Sequence, residues 1–229
     1  MTTLAAKMML QRSPLFRGLA SPALERIATL AIERKFHGGE IVFNQGDPGD
    51  ALYAVVTGAI RISTGAADGR EIFLNIMEPG DTFGEIALLD GGPRTATATA
   101  TVASELVSIR REHFQGLLER EPRVALELLR LCGARLRWTS GLLEDAALLD
   151  APARLAKRLL SLGQQHGERS SHGLTLRISQ EDLASFLGVS RQAVNQYLQG
   201  WKGRGWVDLG RGIVTVRDEN AIRDAARED

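Results

Sequence analysis

With 229 residues, 44% of them hydrophobic and 24% charged, the chain can bury one large core or two moderate ones, and two domains suit its length better. It holds no apolar run approaching the roughly 20 residues of a membrane span, and its N-terminal stretch MTTLAAKMMLQRSPLF lacks the unbroken apolar segment and small-residue cleavage site of a signal peptide, so a cytoplasmic protein with no membrane partner is expected. One cysteine, Cys132, excludes an internal disulfide framework and an all-cysteine metal or iron-sulfur site within one chain, and 28 basic residues balance 28 acidic ones.

From about residue 37 to 109, short apolar or alternating runs (EIVFNQGDPGD, ALYAVVTGAIRIST, GREIFLNIMEPGD, TATATATVASELVSI) are broken by Gly, Asp and Asn. Strands of that length separated by turn residues predict an antiparallel sandwich or roll, with GAADGRE as a hairpin tip. Side chains alternate across a strand, so Thr95, Thr97, Thr99 and Thr101 face one way and Ala96, Ala98 and Ala100 the other. The alanine face leaves room for something. It also fits a close contact between sheets with no ligand.

Pro122 suits the first turn of a helix. After it Ala125, Leu129, Cys132, Leu136, Thr139, Leu143 and Ala146 recur at alternating steps of 4 and 3, an a/d seam three heptads long. A helix packed within its own domain can show this spacing, but a long seam between two domains points to a dimer axis. Thr139 is polar at a seam position and Ser140 follows it; such a residue costs stability and calls for a register or ligand explanation. The seam helix ends in LLDAPARL, where Asp150 can cap a following helix, Pro152 suits its first turn, and Arg154 to Leu162 continue it. The expected division is a roll over 1–120, a dimerisation helix over 121–149 and a third segment over 150–229.

In that segment SQEDLASFLGVSRQAVNQYLQGW reads as two short helices. Ser179 caps the first, to Phe186, with Asp182 at its third position; Gly188 permits a left-handed turn; Ser190 caps the second, to about Gln199. Small Ala184 lets them approach while Val189 and Val194 fill the angle, a helix-turn-helix. WVDLGRGIVTVRD then reads as strand, turn and strand, a wing. Arg191, Gln192, Asn195 and Gln196 lie on the outward face of the second helix and are residue types that hydrogen-bond base edges in a major groove. A plain helical hairpin with no nucleic acid is the bland alternative. Residues 151 to 217 carry ten Lys/Arg against four Asp/Glu, and the last twelve, DENAIRDAARED, carry two against five, so a basic segment precedes a short acidic tail.

A β-roll, a seam helix and a winged helix-turn-helix in this order resemble the cyclic-AMP-receptor/FNR family of bacterial transcription regulators, from about Leu15 to Arg217. The most specific stretches are FGEIALLDGGPRTATATA and GVSRQAVNQYL. The resemblance implies an α+β chain: an N-terminal antiparallel, jelly-roll-like cyclic-nucleotide domain, a long dimerisation helix and a C-terminal winged helix-turn-helix. It makes the first stretch a phosphate-binding cassette, with Phe83, Gly84, Glu85, Ile86, Ala87, Arg94 and Thr95 as nucleotide-binding residues. The chemistry agrees: Arg94 offers a fork of donors to a phosphate, Thr95 a hydroxyl, Gly84 a close backbone approach, and Glu85 an acceptor for a ribose 2'-hydroxyl that would repel a second phosphate. From the residues alone, a Glu85–Arg94 salt bridge that only braces the loop remains open.

By position relative to LLDAPARLAKRLL, Thr139 and Ser140 look like the Thr-Ser pair that contacts adenine in cyclic-AMP receptors, Ser140 from the partner subunit. Thr95 and Thr139 can also hydrogen-bond guanine, so cyclic GMP stands beside cyclic AMP as the allosteric ligand. Ser179, Ser190, Arg191, Gln192, Asn195, Gln196 and Lys202 form the expected DNA-binding set. Arg191 matches the family's guanine-reading arginine, whereas Gln192 and Gln196 stand where the best-known members carry Glu and Arg, so their operator sequence does not transfer. The implied partners are a second copy of the chain, double-stranded DNA with a pseudo-palindromic site, and RNA polymerase. No Ser/His/Asp or Cys/His arrangement, metal cluster or P-loop is evident, His37, His113, His166 and His172 are scattered, and Glu85 with Arg94 offers no nucleophile, so an enzyme is not expected. A ligand-independent family member and a nucleotide-binding enzyme-regulatory module are the alternatives.

Overall fold

The computed structural model describes residue 7 and residues 10–65 and 71–227, in two compact units that meet in sequence between Arg137 and Trp138. In the first unit, among the described residues, strands β1 (Ile32–Phe36), β8 (Ser104–Arg110), β3 (Ala51–Thr57) and β6 (Thr82–Phe83) form one antiparallel sheet in that order. A second sheet runs β2 (Ile41–Phe43), β7 (Thr97–Ala100), β4 (Ile60–Gly65) and β5 (Glu71–Met77). The tip expected at GAADGRE falls on residues 66–70, outside the described residues, while its flanks β4 and β5 pair antiparallel.

Strand β3 reads as a continuous apolar run because it is covered on both faces. Ala51, Tyr53 and Val55 point into the core between the sheets with Ile60, Phe83 and Leu106, whereas Leu52 joins Leu24, Ile27, Phe114 and Val124 beneath a helical layer. That layer comprises α1 (Ser21–Leu30), α3 (Arg111–Arg120) and the start of α4 (Pro122–Leu148), with α2 (Glu85–Asp90) set between β6 and β7. Ala98 and Ala100 are fully buried in the inter-sheet core. The small face of β7 therefore serves close sheet packing, and the room it leaves is filled by protein.

In the second unit α5 (Ala151–His166) starts on Asp150, whose carboxylate accepts from the Ala153 N–H at 2.8 Å. Next come β9 (Glu168–Ser170), β10 (Gly173–Arg177), α6 (Gln180–Leu187), α7 (Arg191–Gly203), β11 (Val207–Gly210), β12 (Ile213–Val216) and α8 (Glu219–Ala225). The sheet order β11-β12-β10-β9 makes the wing part of a four-stranded antiparallel sheet. The β9–β10 hairpin is an addition to the sequence reading; its signal is only Leu174 and Leu176, buried at alternate positions in a polar stretch. The acidic tail, read only for its charge, also carries a helix. Asp218 caps α8 by accepting from Asn220 and Ala221 N–H at 3.0 and 2.9 Å, Ile222 is fully buried, and Glu219 pairs with Arg169.

Candidate nucleotide pocket and DNA-reading helices

Strand β6 delivers Phe83 into the inter-sheet core, where its ring stacks on Tyr53 with centroids 5.4 Å apart. The chain then turns into α2 through Gly84 at φ 83°, a left-handed conformation that side chains resist. A Cβ at Gly84 would sit 2.6 Å from Arg94 Nη1, so the glycine is required by the backbone and by the guanidinium alike. Glu85 opens α2 and is fully buried. Ala87 is buried as well, against Gly49, where a Cβ would fall 2.3 Å from its own; its part is to pack the loop before β3 onto α2. Ile86 is exposed on the outer side of that short helix.

Arg94 is only 2% exposed. Its Nη1 donates to Gly84 O at 2.8 Å, and Nη2 donates to Ala51 O at 2.8 Å and to Asp50 Oδ1 at 3.2 Å. The guanidinium carbon lies 4.2 Å from the centre of the Phe43 ring. Thr95, next in sequence, is exposed.

Glu85 does not take the brace role with Arg94; its ion pair is with Arg135 of α4, whose Nη2 also donates to Thr82 O. Oε2 of Glu85 has no hydrogen-bond donor, and Arg94 Nε is buried without an acceptor. Buried polar atoms left in this state cost about 1–3 kcal/mol each. A carboxylate wanting donors and a guanidinium with an unused N–H suit a sugar hydroxyl and an anionic phosphate. Arg135 was not found from the sequence. Its signal is its place one turn before Thr139, off the apolar seam. Cys132, on the same helix, has its thiol pushed up by burial and by the Glu85 charge, against Arg135, so it stays protonated at neutral pH. Burial likewise raises the Tyr53 phenol, which packs as a neutral ring.

Along α4, Leu129, Leu136 and Leu143 are 66, 68 and 72% exposed, an uncovered apolar stripe at seven-residue spacing. Thr139 and Ser140 are exposed on the same helix.

In the second unit Ser179 Oγ accepts from Asp182 N–H at 3.0 Å and Ser190 Oγ from Ala193 N–H at 3.2 Å, so both serines act as helix caps. Gly188 closes α6 at φ 64°. Val194, Leu198 and Trp201 anchor α7, which leaves Arg191, Gln192, Asn195, Gln196 and Lys202 exposed. A cleft of about 370 Å³ separates Ser179 and Arg191 from the wing tip at Arg211. Among the described residues no three His, Cys, Asp or Glu side chains group to hold a metal ion, and no helix is long and apolar enough to cross a membrane.

Residues 33–121 match the model of the cyclic nucleotide-binding domain and residues 153–225 that of the Crp-like helix-turn-helix domain. A CRP-like cAMP-activated global transcriptional regulator of Mycobacterium tuberculosis is 36% identical over 220 residues, 95% of this chain and 98% of that protein. The chain belongs to the CRP/FNR family of transcription regulators. Within the family, the cyclic AMP receptor protein of Thermus thermophilus is 36% identical over 93% of this chain and 97% of its own length. Among solved CRP/FNR structures, the c-di-GMP responsive regulator CLP of Xanthomonas campestris has a TM-score of 0.77 at 25% identity, covering 86% of this chain and 99% of that one. The Thermus thermophilus catabolite activator protein has a TM-score of 0.56 at 36% identity, covering 93 and 98%. The α+β architecture of roll, long helix and winged helix-turn-helix is thus that of the CRP/FNR family.

Proposed function

We propose that the chain is a homodimeric regulator whose affinity for a pseudo-palindromic DNA site is set by a cyclic purine mononucleotide, cyclic AMP before cyclic GMP. The observation that carries the ligand is the fully buried Glu85 carboxylate, whose Oε2 has no hydrogen-bond donor, next in sequence to the Gly84 carbonyl that, with Ala51 O, fixes the Arg94 guanidinium. Arg94 meets the phosphate, Thr95 adds a hydroxyl donor, and Glu85 accepts the 2'-hydroxyl while Arg135 offsets its charge. Thr139 and Ser140, the latter from the partner subunit, contact the base; this part rests on the resemblance. Arg191 reads guanine, Gln192, Asn195 and Gln196 set neighbouring preferences, and Lys202 and the N-termini capped by Ser179 and Ser190 meet phosphates. The protein works in the cytoplasm with RNA polymerase as partner and catalyses no reaction. The relatives named cAMP-activated favour cyclic AMP.

A cyclic dinucleotide is the second reading, favoured by the likeness to a c-di-GMP responsive regulator. The Glu85 carboxylate accepts from a hydroxyl and offers no donor to a second phosphate, which favours the mononucleotide. Calorimetric titration of ligand-stripped protein with cyclic AMP, cyclic GMP and cyclic di-GMP decides between them. Tightest binding is expected for cyclic AMP at one site per chain; heat with cyclic di-GMP alone, or with none of the three, would overturn the assignment.

A further inference from the structure

Arg158, on α5, is 9% exposed, and its guanidinium carbon lies 4.9 Å from the Trp138 ring centre and 5.2 Å from that of Phe186. Trp138 belongs to α4 and Phe186 to α6, the first helix of the helix-turn-helix. Three helices therefore meet on one planar cation. Beside it Lys157 is paired with Asp145 of α4, and Asp145 also favours the charged form of Arg158 against the burial that opposes it. Trp138 Nε1 is buried without an acceptor, so polar hydrogen bonding does not fix the indole and its ring contact with the cation carries its orientation.

Leucine at position 158 would fill such space without the desolvation cost of a buried charge. What a guanidinium adds is direction: its attraction depends on lying over a ring face, so sliding or rotating one helix changes the contact with both rings. Trp138 immediately precedes Thr139 and follows Arg135 by three residues on α4. A change of α4 at those positions moves the indole.

We propose that Arg158 is a coupling residue, its guanidinium between Trp138 and Phe186 tying the position of the DNA-reading helix pair to the end of α4 that carries Thr139. The proposal rests on the nucleotide-controlled reading above and names the contact through which that control reaches DNA. A ligand shifts an equilibrium only through contacts that differ between the two states, and this orientation-dependent clamp supplies one.

The test measures DNA affinity by fluorescence anisotropy, with and without saturating cyclic AMP, for wild type, Arg158→Gln, Arg158→Lys and Phe186→Leu. Nucleotide affinity is followed by calorimetry and folding by thermal melts. Arg158→Gln should keep its nucleotide affinity within about twofold and lose about tenfold of the nucleotide stimulation of DNA binding. Arg158→Lys, which keeps the charge but not the plane, should fall between; it and Phe186→Leu carry the test if Arg158→Gln does not fold. Wild-type stimulation in the folded variants would overturn the proposal. A wild type that binds nucleotide with no change in DNA affinity instead refutes the regulatory reading. The clamp is then judged on nucleotide-free DNA affinity, where Arg158→Gln and Phe186→Leu combined must be non-additive, and additive effects overturn it.

Discussion

Arg94 is held in place by the protein's own groups. Two carbonyls, Asp50 and the Phe43 ring fix its guanidinium, so little ordering is left for the binding step, which strengthens whatever anion it meets. Arg94→Leu should weaken cyclic AMP about a hundredfold, on the order of 3 kcal/mol, measured by calorimetry. It should also lower thermal stability, because Gly84 O and Ala51 O lose their donor. A folded Arg94→Leu protein with undiminished affinity would contradict the assignment. Glu85 and Arg94 were legible in the sequence because a glycine-flanked acid and an arginine stand close together in a specific motif. Arg135 was not, because its partnership with Glu85 exists only once α4 reaches the cassette, and nothing near it in sequence marks that contact.

At the scale of elements, α4 was readable from its heptads and the α6–α7 pair from its caps and Gly188, since periodicity and capping are local signals. Elements with few buried residues were not. Helix α8 buries Ile222 alone, too little for a helical pattern among five acidic residues, and so was not read as a helix. The exposed leucines of α4 carry a prediction of their own. Leu129, Leu136 and Leu143 match the spacing at which a second copy would bury them, and burying each contributes about 1.5–3 kcal/mol. Sedimentation should find the wild type dimeric and Leu136→Asp monomeric at micromolar concentration. An unchanged dimer would remove the seam from the interface.

Under the proposed function the whole molecule links two activities, a site for one small anion in the roll and a reader of base edges in the second unit. Two-fold symmetry of a dimer requires DNA half-sites about one helical turn, roughly 34 Å, apart. Specific recognition should depend on Arg191, with Arg191→Ala leaving only salt-sensitive, sequence-independent binding. The most direct measurement is the affinity of the wild-type protein for a selected two-fold symmetric duplex, with and without saturating cyclic AMP, beside the same pair for Arg94→Leu. Binding should be tighter with nucleotide by about fivefold or more for wild type, within the usual range of allosteric coupling, with no such gain for Arg94→Leu. Equal wild-type affinity in the presence and absence of nucleotide would contradict it.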